Sequence, residues 1–298
     1  MTPESRVRIV HQFSKSGECV VYWMTSARRS NWNHGLQHAI NLSKRKNLPL
    51  VVLEPLSIAH RWANERSHAF VIEGMLDNKV AFENSPITYI PYLETKQNEG
   101  RRLLEKWMEY ANVMVVDEFP TYHPRRVTEL AISLKKCEIH SIDSNGFISM
   151  NQNRSFTTAH SLRRHLHKTI MQHMSEFPSQ NPIEMASDLP TLPSAKVVEI
   201  FEQSNTPMTS CDIIVNICDS KEIKSDHLSI LDLDHSVTRV KHAVGGSNEA
   251  LRQWRKFLKH RLMNYSKDRN EPELNGSSGL SPYPVSYTHL TLPTILRV

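Results

Sequence analysis

A chain of 298 residues is longer than one hydrophobic core usually organises, so two domains are expected. With 39% hydrophobic and 22% charged residues it reads as a soluble globular protein, which excludes a disordered or membrane chain. A formal charge of +5 permits a polyanionic partner but is equally what ordinary solvation gives at this length, so charge alone selects no function.

The opening MTPESRVRIVHQF has no signal-peptide core, and no apolar run approaches the roughly 20 residues that span a bilayer. Cys19, Cys137, Cys211 and Cys218 are scattered without CxxC spacing. The expectation is a cytoplasmic, intracellular protein with free thiols, no structural metal and no membrane attachment. From about residue 7 to residue 174, short β-rich runs alternate with helical stretches. ECVVYWM (18–24), PLVVLEP (49–55), PITYIPY (86–92), NVMVVDE (112–118) and CEIHSID (137–143) read as strands. Between them Trp32, Leu36 and Ile40 form one helical stripe, and Phe70, Leu76 and Val80 another. The expected fold is α/β, a Rossmann-like doubly wound parallel sheet of about five strands over residues 1–175.

Residues 176–230 change texture: Pro, Ser and Asn recur and helical periodicity is brief, as in a linker wrapping a surface. Past LDLDHSV and the GGSN turn a strong helix begins, with Ser247 or Asn248 as N-cap. Leu251, Trp254, Leu258, Leu262 and Tyr265 return at i, i+3, i+7, i+11 and i+14, and Pro272 bounds the run. The spacing predicts a helix over 247–268.

Neither GxGxxG nor GxxxxGK[ST] occurs. TSARRSN (25–31) carries Arg28 and Arg29 ahead of a helix start, where an anion could sit, although a solvated basic turn is the stronger reading. Asp117 and Glu118 end the fourth strand, but adjacent strand residues point to opposite faces. They read as structural acids, not as a cooperating pair. TAHSLRRHLHKTIMQH carries His160, His165, His167 and His173 without the i, i+4 pairing of a helical metal site. An exposed basic helix face is the preferred reading, and its Arg163, Arg164 and Lys168 could meet DNA phosphates.

Serine hydroxyls and backbone N–H groups at a glycine turn before a helix start form an anion cradle, which is what NGSSGLSPY offers. Alone it is weak, because Ser and Gly turns are common. In RLMNYSKDRNEPELNGSSGLSPY, however, the loop follows a helix ending in a Tyr-containing turn. That stretch resembles the photolyase and cryptochrome family, specifically its class II-type photolyases, where a TSGLSPYLHFG-like loop opens the flavin-binding region. VVYWMTSARRSNWNHGLQHAI, VIEGMLDN, VVDEFPTY, SIDSNGF and FTTAHSLRRHL extend the resemblance, which covers essentially residues 19–283.

The resemblance implies an N-terminal antenna-type domain (1–175), an interdomain linker (176–230) and the start of a helical FAD-binding domain (231–283). It implies a deoxyribodipyrimidine photolyase, a lyase in which light-excited reduced FAD donates an electron to a cyclobutane pyrimidine dimer flipped out of DNA. Carried over by position, Tyr265 packs on the flavin, and Ser277, Ser278, Gly279, Leu280 and Ser281 contact its phosphates and ribitol. Ser277 stands where relatives often have Thr and keeps the hydroxyl. The implied partner is damaged DNA containing pyrimidine dimers, bound by a monomer, and an antenna chromophore of unknown identity is implied beside FAD. The lesion pocket and the electron path belong to helices past Tyr283, so catalytic residues are unknown.

After Tyr283 the family's LHFG continuation is replaced by PVSYTHLTLPT, which resembles a translated sequencing adapter. Residues 284–298 are expected to be such a tail, and the chain as written is expected to be inactive, with an apolar stripe exposed on its last helix. Two rival readings remain: a cryptochrome-like blue-light photoreceptor, and a free-standing α/β nucleotide-binding module.

Overall fold

The computed structural model describes residues 2–59, 62–119, 122–146, 148–150, 155–220, 223 and 225–285. All five expected strands form: β2 (Cys19–Trp23), β3 (Leu50–Leu56), β4 (Thr88–Leu93), β5 (Ala111–Glu118) and β6 (Glu138–Asp143). They pair in parallel in the order β6-β5-β2-β3-β4. The sheet nevertheless has six strands, because β1 (Val7–His11) adds an antiparallel edge strand against β6. Its VRIVH is nowhere fully buried and mixes Arg8 with an exposed Ile9, so it lacks the unbroken apolar run that marks the central strands.

Every residue of β2 is buried, and alternate side chains enter opposite layers. Cys19, Val21 and Trp23 meet Leu103 and Trp107 of α3 (Glu99–Tyr110) together with Ile200 and Phe201. Val20, Tyr22 and Met24 meet Leu36 and Ile40 of α1 (His34–Lys46). A one-residue slip would exchange the two layers, and burial of each large apolar side chain contributes about 1.5–3 kcal/mol, so the register is strongly fixed. Farther along the sheet, α2 (Glu65–Phe82) sends Ala69, Ile72 and Met75 against Leu93 at the end of β4. After β5 and β6 come α4 (Tyr122–Leu134) and α5 (Ala159–His173).

The 176–230 stretch is more helical than its composition implies. It holds a 3-10 turn (Pro182–Ala186), α6 (Ser194–Gln203), α7 (Thr209–Ser220) and α8 (Ser225–Leu228). Ile200 and Phe201 of α6 complete the layer over α3, while Ile213, Ile214 and Ile217 of α7 pack with α2 and β4. These helices are only a few turns long and separated by Pro, Ser and Asn, so punctuation masks their periodicity.

The expected helix over 247–268 is two. α9 (Ser247–His260) stops at Arg261, whose φ of −125° and ψ of −21° are not helical, and the chain resumes in a 3-10 turn (Leu262–Asn264) and α10 (Tyr265–Asp268). A further 3-10 turn (Pro272–Leu274) precedes α11 (Pro282–Val285). The apolar stripe divides at the break. Ala250, Leu251, Trp254 and Phe257 are buried or packed, whereas Leu262, Met263 and Leu274 are exposed.

The N-cap of α9 is Gly246 and makes no side-chain cap, so neither Ser247 nor Asn248 plays the role expected of it. The cap comes from α2: Asp77 accepts from the Asn248 backbone N–H at 3.0 Å and from its side-chain amide at 2.8 Å. One turn earlier, Glu73 accepts from the Gly245 N–H at 2.5 Å and from Arg239 at 3.1 and 2.6 Å. Glu73 and Asp77 stand four residues apart, hence on one face of α2. Gly245 is obligatory there, since a Cβ would lie 1.9 Å from the carbonyl oxygen of Phe70.

Among the described residues no helix is long and apolar enough to cross a membrane, and no group of three metal-capable side chains converges. Cys19, Cys137 and Cys211 are free thiols, and burial pushes Cys19 and Cys137 up to about 12. The Cys218 side chain and residues 286–298, which hold most of the expected tail, lie outside the described residues, as do Pro120, Thr121 and Phe147 of the quoted motifs.

Candidate functional site

In an open α/β sheet a ligand is expected at the carboxyl ends of the strands where the strand order reverses, here between β2 and β5. That place is filled from within. Asp117, at the end of β5, is 1% exposed. One of its carboxylate oxygens accepts from the Tyr22 hydroxyl at 2.7 Å, and the other from the backbone N–H groups of Thr25, Ser26 and Ala27 at 3.0, 2.7 and 2.9 Å. Successive N–H groups converging on one oxygen form the nest that elsewhere binds phosphate. Burial, then the neighbouring Asp117, pushes the Tyr22 phenol well above its ordinary range and keeps it a donor. Glu118 turns the other way to Arg8 and Ser141, at 3.1 and 3.0 Å.

Arg28 and Arg29 are not a solvated turn, because both are buried. Arg28 donates to Glu54 at 3.2 Å and to the carbonyls of Thr25 and Pro55, while Arg29 donates to the carbonyls of Trp32 and Ser144. Their charges are consumed in tying the β2 loop to β3 and to the turn after β6. An entering phosphate would find its nest taken by a carboxylate.

The second candidate place is the loop from Asn275 to Ser281, held against α9, α10 and α2. Arg261, the residue at which α9 breaks, donates to the carbonyls of Asn275 and Ser277 at 3.2 and 2.9 Å. Gly276 is seated on the end of α10, where a Cβ would come within 2.5 Å of the Asp268 side chain. Leu280 is buried with Phe70, Ala250 and Tyr283, and the Tyr283 hydroxyl donates to the Val244 carbonyl at 2.9 Å. The Tyr283 and Phe70 rings lie 5.2 Å apart. Both ends of the loop are therefore anchored.

Between the anchors the loop is open. Ser277, Gly279 and Ser281 are exposed, and Gly279 has φ of +70° with nothing within 4 Å of the position a Cβ would take. Ser278 keeps a long contact, accepting from the Leu280 N–H at 3.4 Å. Hydroxyls, a left-handed glycine and the cation of Arg261 suit the phosphate end of a dinucleotide such as FAD. Leu280 differs from the other loop residues in having a buried side chain that acts as an anchor, so contact with a ligand there would use its backbone. Tyr265 begins α10 and is 37% exposed, with Phe257 edge-on at 5.5 Å and the Arg269 guanidinium 5.9 Å from its ring centre. The structure thus joins Ser277–Ser281 to α10 through Gly276 and Asp268, with Tyr265 at that helix's other end.

Sequence reasoning missed Arg261, Glu73 and Asp77. VIEGMLDN carried a usable signal, two acids at i and i+4 among apolar neighbours, but nothing local says what such a pair holds.

No family model matches the sequence. Two curated relatives do. A deoxyribodipyrimidine photo-lyase of Methanothermobacter thermautotrophicus is 24% identical over 273 residues, covering 90% of this chain and 53% of that protein. One of Arabidopsis thaliana is 23% identical over 273 residues, covering 89% and 50%. The chain spans about half the length of the curated relatives it matches. By fold it is similar to a bacterial class III photolyase from Agrobacterium tumefaciens, with a TM-score of 0.59 at 15% identity over 95% of this chain and 53% of that one. It is similar in the same degree to the Synechocystis sp. PCC6803 cryptochrome, with a TM-score of 0.58 at 14% identity over 96% and 56%.

Proposed function

We propose that this chain is a member of the photolyase/cryptochrome family, as its likeness to two photolyases supports, and that it carries the sheet domain and first flavin-contacting loop of a class II-type deoxyribodipyrimidine photolyase. In this reading residues 1–175 are the scaffold or antenna-type domain, 176–230 the connector and 231–283 the start of the FAD-binding region. The observation that carries it is similarity to two photolyases over 273 residues, combined with a loop that is anchored at both ends and open between them.

FAD, when bound and reduced, supplies the light-driven electron that splits a cyclobutane pyrimidine dimer. The chain's own residues bind and orient. Ser277, Ser278 and Ser281 offer hydroxyls to phosphate and ribitol, and Gly279 lets the backbone approach closely. Arg261 consumes the carbonyls of Asn275 and Ser277, so acceptors that would repel phosphate are turned to a cation. Tyr265 offers an aromatic surface beside Arg269. The sheet domain takes no nucleotide at its strand-order reversal, because Asp117 fills the nest there; this counts against the free-standing nucleotide-binding module.

The test is to express the gene as read from its source DNA, load and reduce FAD, and illuminate an oligonucleotide containing a pyrimidine dimer. Dimers should disappear in light and persist in the dark. Ser277→Ala with Ser281→Ala should weaken flavin retention by about tenfold, roughly two lost hydrogen bonds. A flavin-loaded, reduced protein that leaves dimers intact sinks the repair reading and favours the blue-light sensor, a reading kept because the cryptochrome is as similar in fold as the photolyase.

A further inference from the structure

Helix α5 has no buried residue and no acidic side chain. At about 100° per residue, His160, Arg163, Arg164, His167 and Lys168 fall on one arc of roughly 140°. Leu162, His165, Leu166, Thr169 and Ile170 take the other side. Most of the cover lies there: His165, Leu166, Thr169 and Ile170 are half-buried, and the Phe156 ring lies 5.0 Å from that of His165, while in the basic arc His160, Arg163, Arg164, His167 and Lys168 are all exposed. The nearest acid in sequence, Glu176, is engaged with His173 at 2.9 Å, past the end of the helix. Thr158 caps the helix by accepting from the Ser161 N–H at 3.2 Å, so the arc is presented on a defined scaffold. Arg164 approaches His160 of the same arc at 3.4 Å, and no carboxylate neutralises Arg163, Arg164 or Lys168 among the described ion pairs.

We propose that this face of α5 is an electrostatic contact for the phosphate backbone of double-stranded nucleic acid, independent of base sequence and of any lesion. Arg163 and Lys168 are about 7.5 Å apart along the axis, roughly two phosphate steps of one strand. A backbone contact needs only clustered, accessible cations. An anionic membrane would need a continuous apolar face to insert; Leu166 and Ile170 are half-covered, and the exposed Leu162 and Met171 point to opposite sides of the helix, Met171 standing within the basic arc. The proposal reaches beyond the repair reading, because its target is undamaged duplex and it requires no flavin.

The test titrates the 298-residue chain with an undamaged duplex between 50 and 200 mM salt, beside Arg163→Ala/Arg164→Ala/Lys168→Ala in one chain. All three positions are exposed, so the variant should keep its far-ultraviolet dichroism and thermal midpoint. The slope of log K against log salt should shrink by about 2.7 in the variant, three contacts at about 0.9 each, and affinity at 50 mM should fall at least about tenfold. Arg163→Lys/Arg164→Lys should retain most of the binding. Equal slopes for wild type and triple variant overturn the proposal, as does absence of duplex binding at 50 mM. So does a triple variant that loses phosphatidylglycerol vesicles while keeping duplex.

Discussion

Asp117 shows how much a single side chain can decide. It gathers three backbone donors and the Tyr22 hydroxyl in a fully buried place, so removing it orphans three backbone donors at once and leaves the hydroxyl only the 3.3 Å contact to Asn33. Asp117→Ala should cost at least about 3 kcal/mol in urea unfolding, since each orphaned buried donor costs about 1–3 kcal/mol. A loss below about 1 kcal/mol would mean that water or Ser26 takes over the nest. The sequence identified Asp117 as a structural acid from strand geometry alone. It misjudged Arg28 and Arg29, because a charged pair in a turn looks solvated until the acceptors arrive: Glu54 from one strand away, and Ser144 from more than a hundred residues off.

At the scale of elements, α2 organises the molecule's second half. Gly245→Ala would drive a methyl into the Phe70 carbonyl, and the backbone shift needed to relieve it should cost about 1–3 kcal/mol. The same shift should expose α9 to protease. Unchanged digestion of α9 together with unchanged stability would show that the GGSN turn is not the hinge of this docking.

The other end of α2 is held by a titratable contact. His235 lies 3.3 Å from Glu65 and 3.1 Å from the Leu231 carbonyl, and these acceptors, Glu65 first, raise its pKa above the ordinary value. A raised folded value means that the stabilisation is fully present below about pH 6.5 and is lost as pH rises through the folded value. The thermal-midpoint difference between wild type and His235→Gln should therefore narrow as pH rises from 6 towards 9. A difference that stays constant would separate the contact from proton binding.

The elements also differ in how readable they were. Strands buried on both faces announce themselves as β-branched and aromatic runs, Val-rich in β2, β3 and β5 and built on Ile and Tyr in β4 and on two isoleucines in β6, which is why β2 to β6 were placed from sequence. β1 was not, because one edge strand with a polar, exposed face carries little pattern. The spacing of Leu258, Leu262 and Tyr265 continues smoothly across the break, so periodicity could not register the non-helical Arg261 and the 3-10 turn of Leu262–Asn264 after it. The loop was legible as an anion cradle from Ser and Gly, but its anchoring by Arg261, Leu280 and Tyr283 depends on contacts that only the folded chain makes.

For the molecule as a whole, the sheet domain and the candidate flavin loop share one helix. Phe70, Glu73 and Asp77 belong to α2, whose inner face lines the sheet layer with Ile72 and Met75. Glu73 and the Gly245 it holds are 172 residues apart in sequence. At about 5–20 residues per second of synthesis, roughly 9 to 34 s pass between the appearance of the two on a ribosome. Throughout that interval the growing chain carries Glu73 and Asp77 of α2 before the Gly245 and Asn248 donors that they hold exist. The candidate flavin loop therefore docks late in biosynthesis, onto a surface that must stay soluble until the GGSN turn arrives.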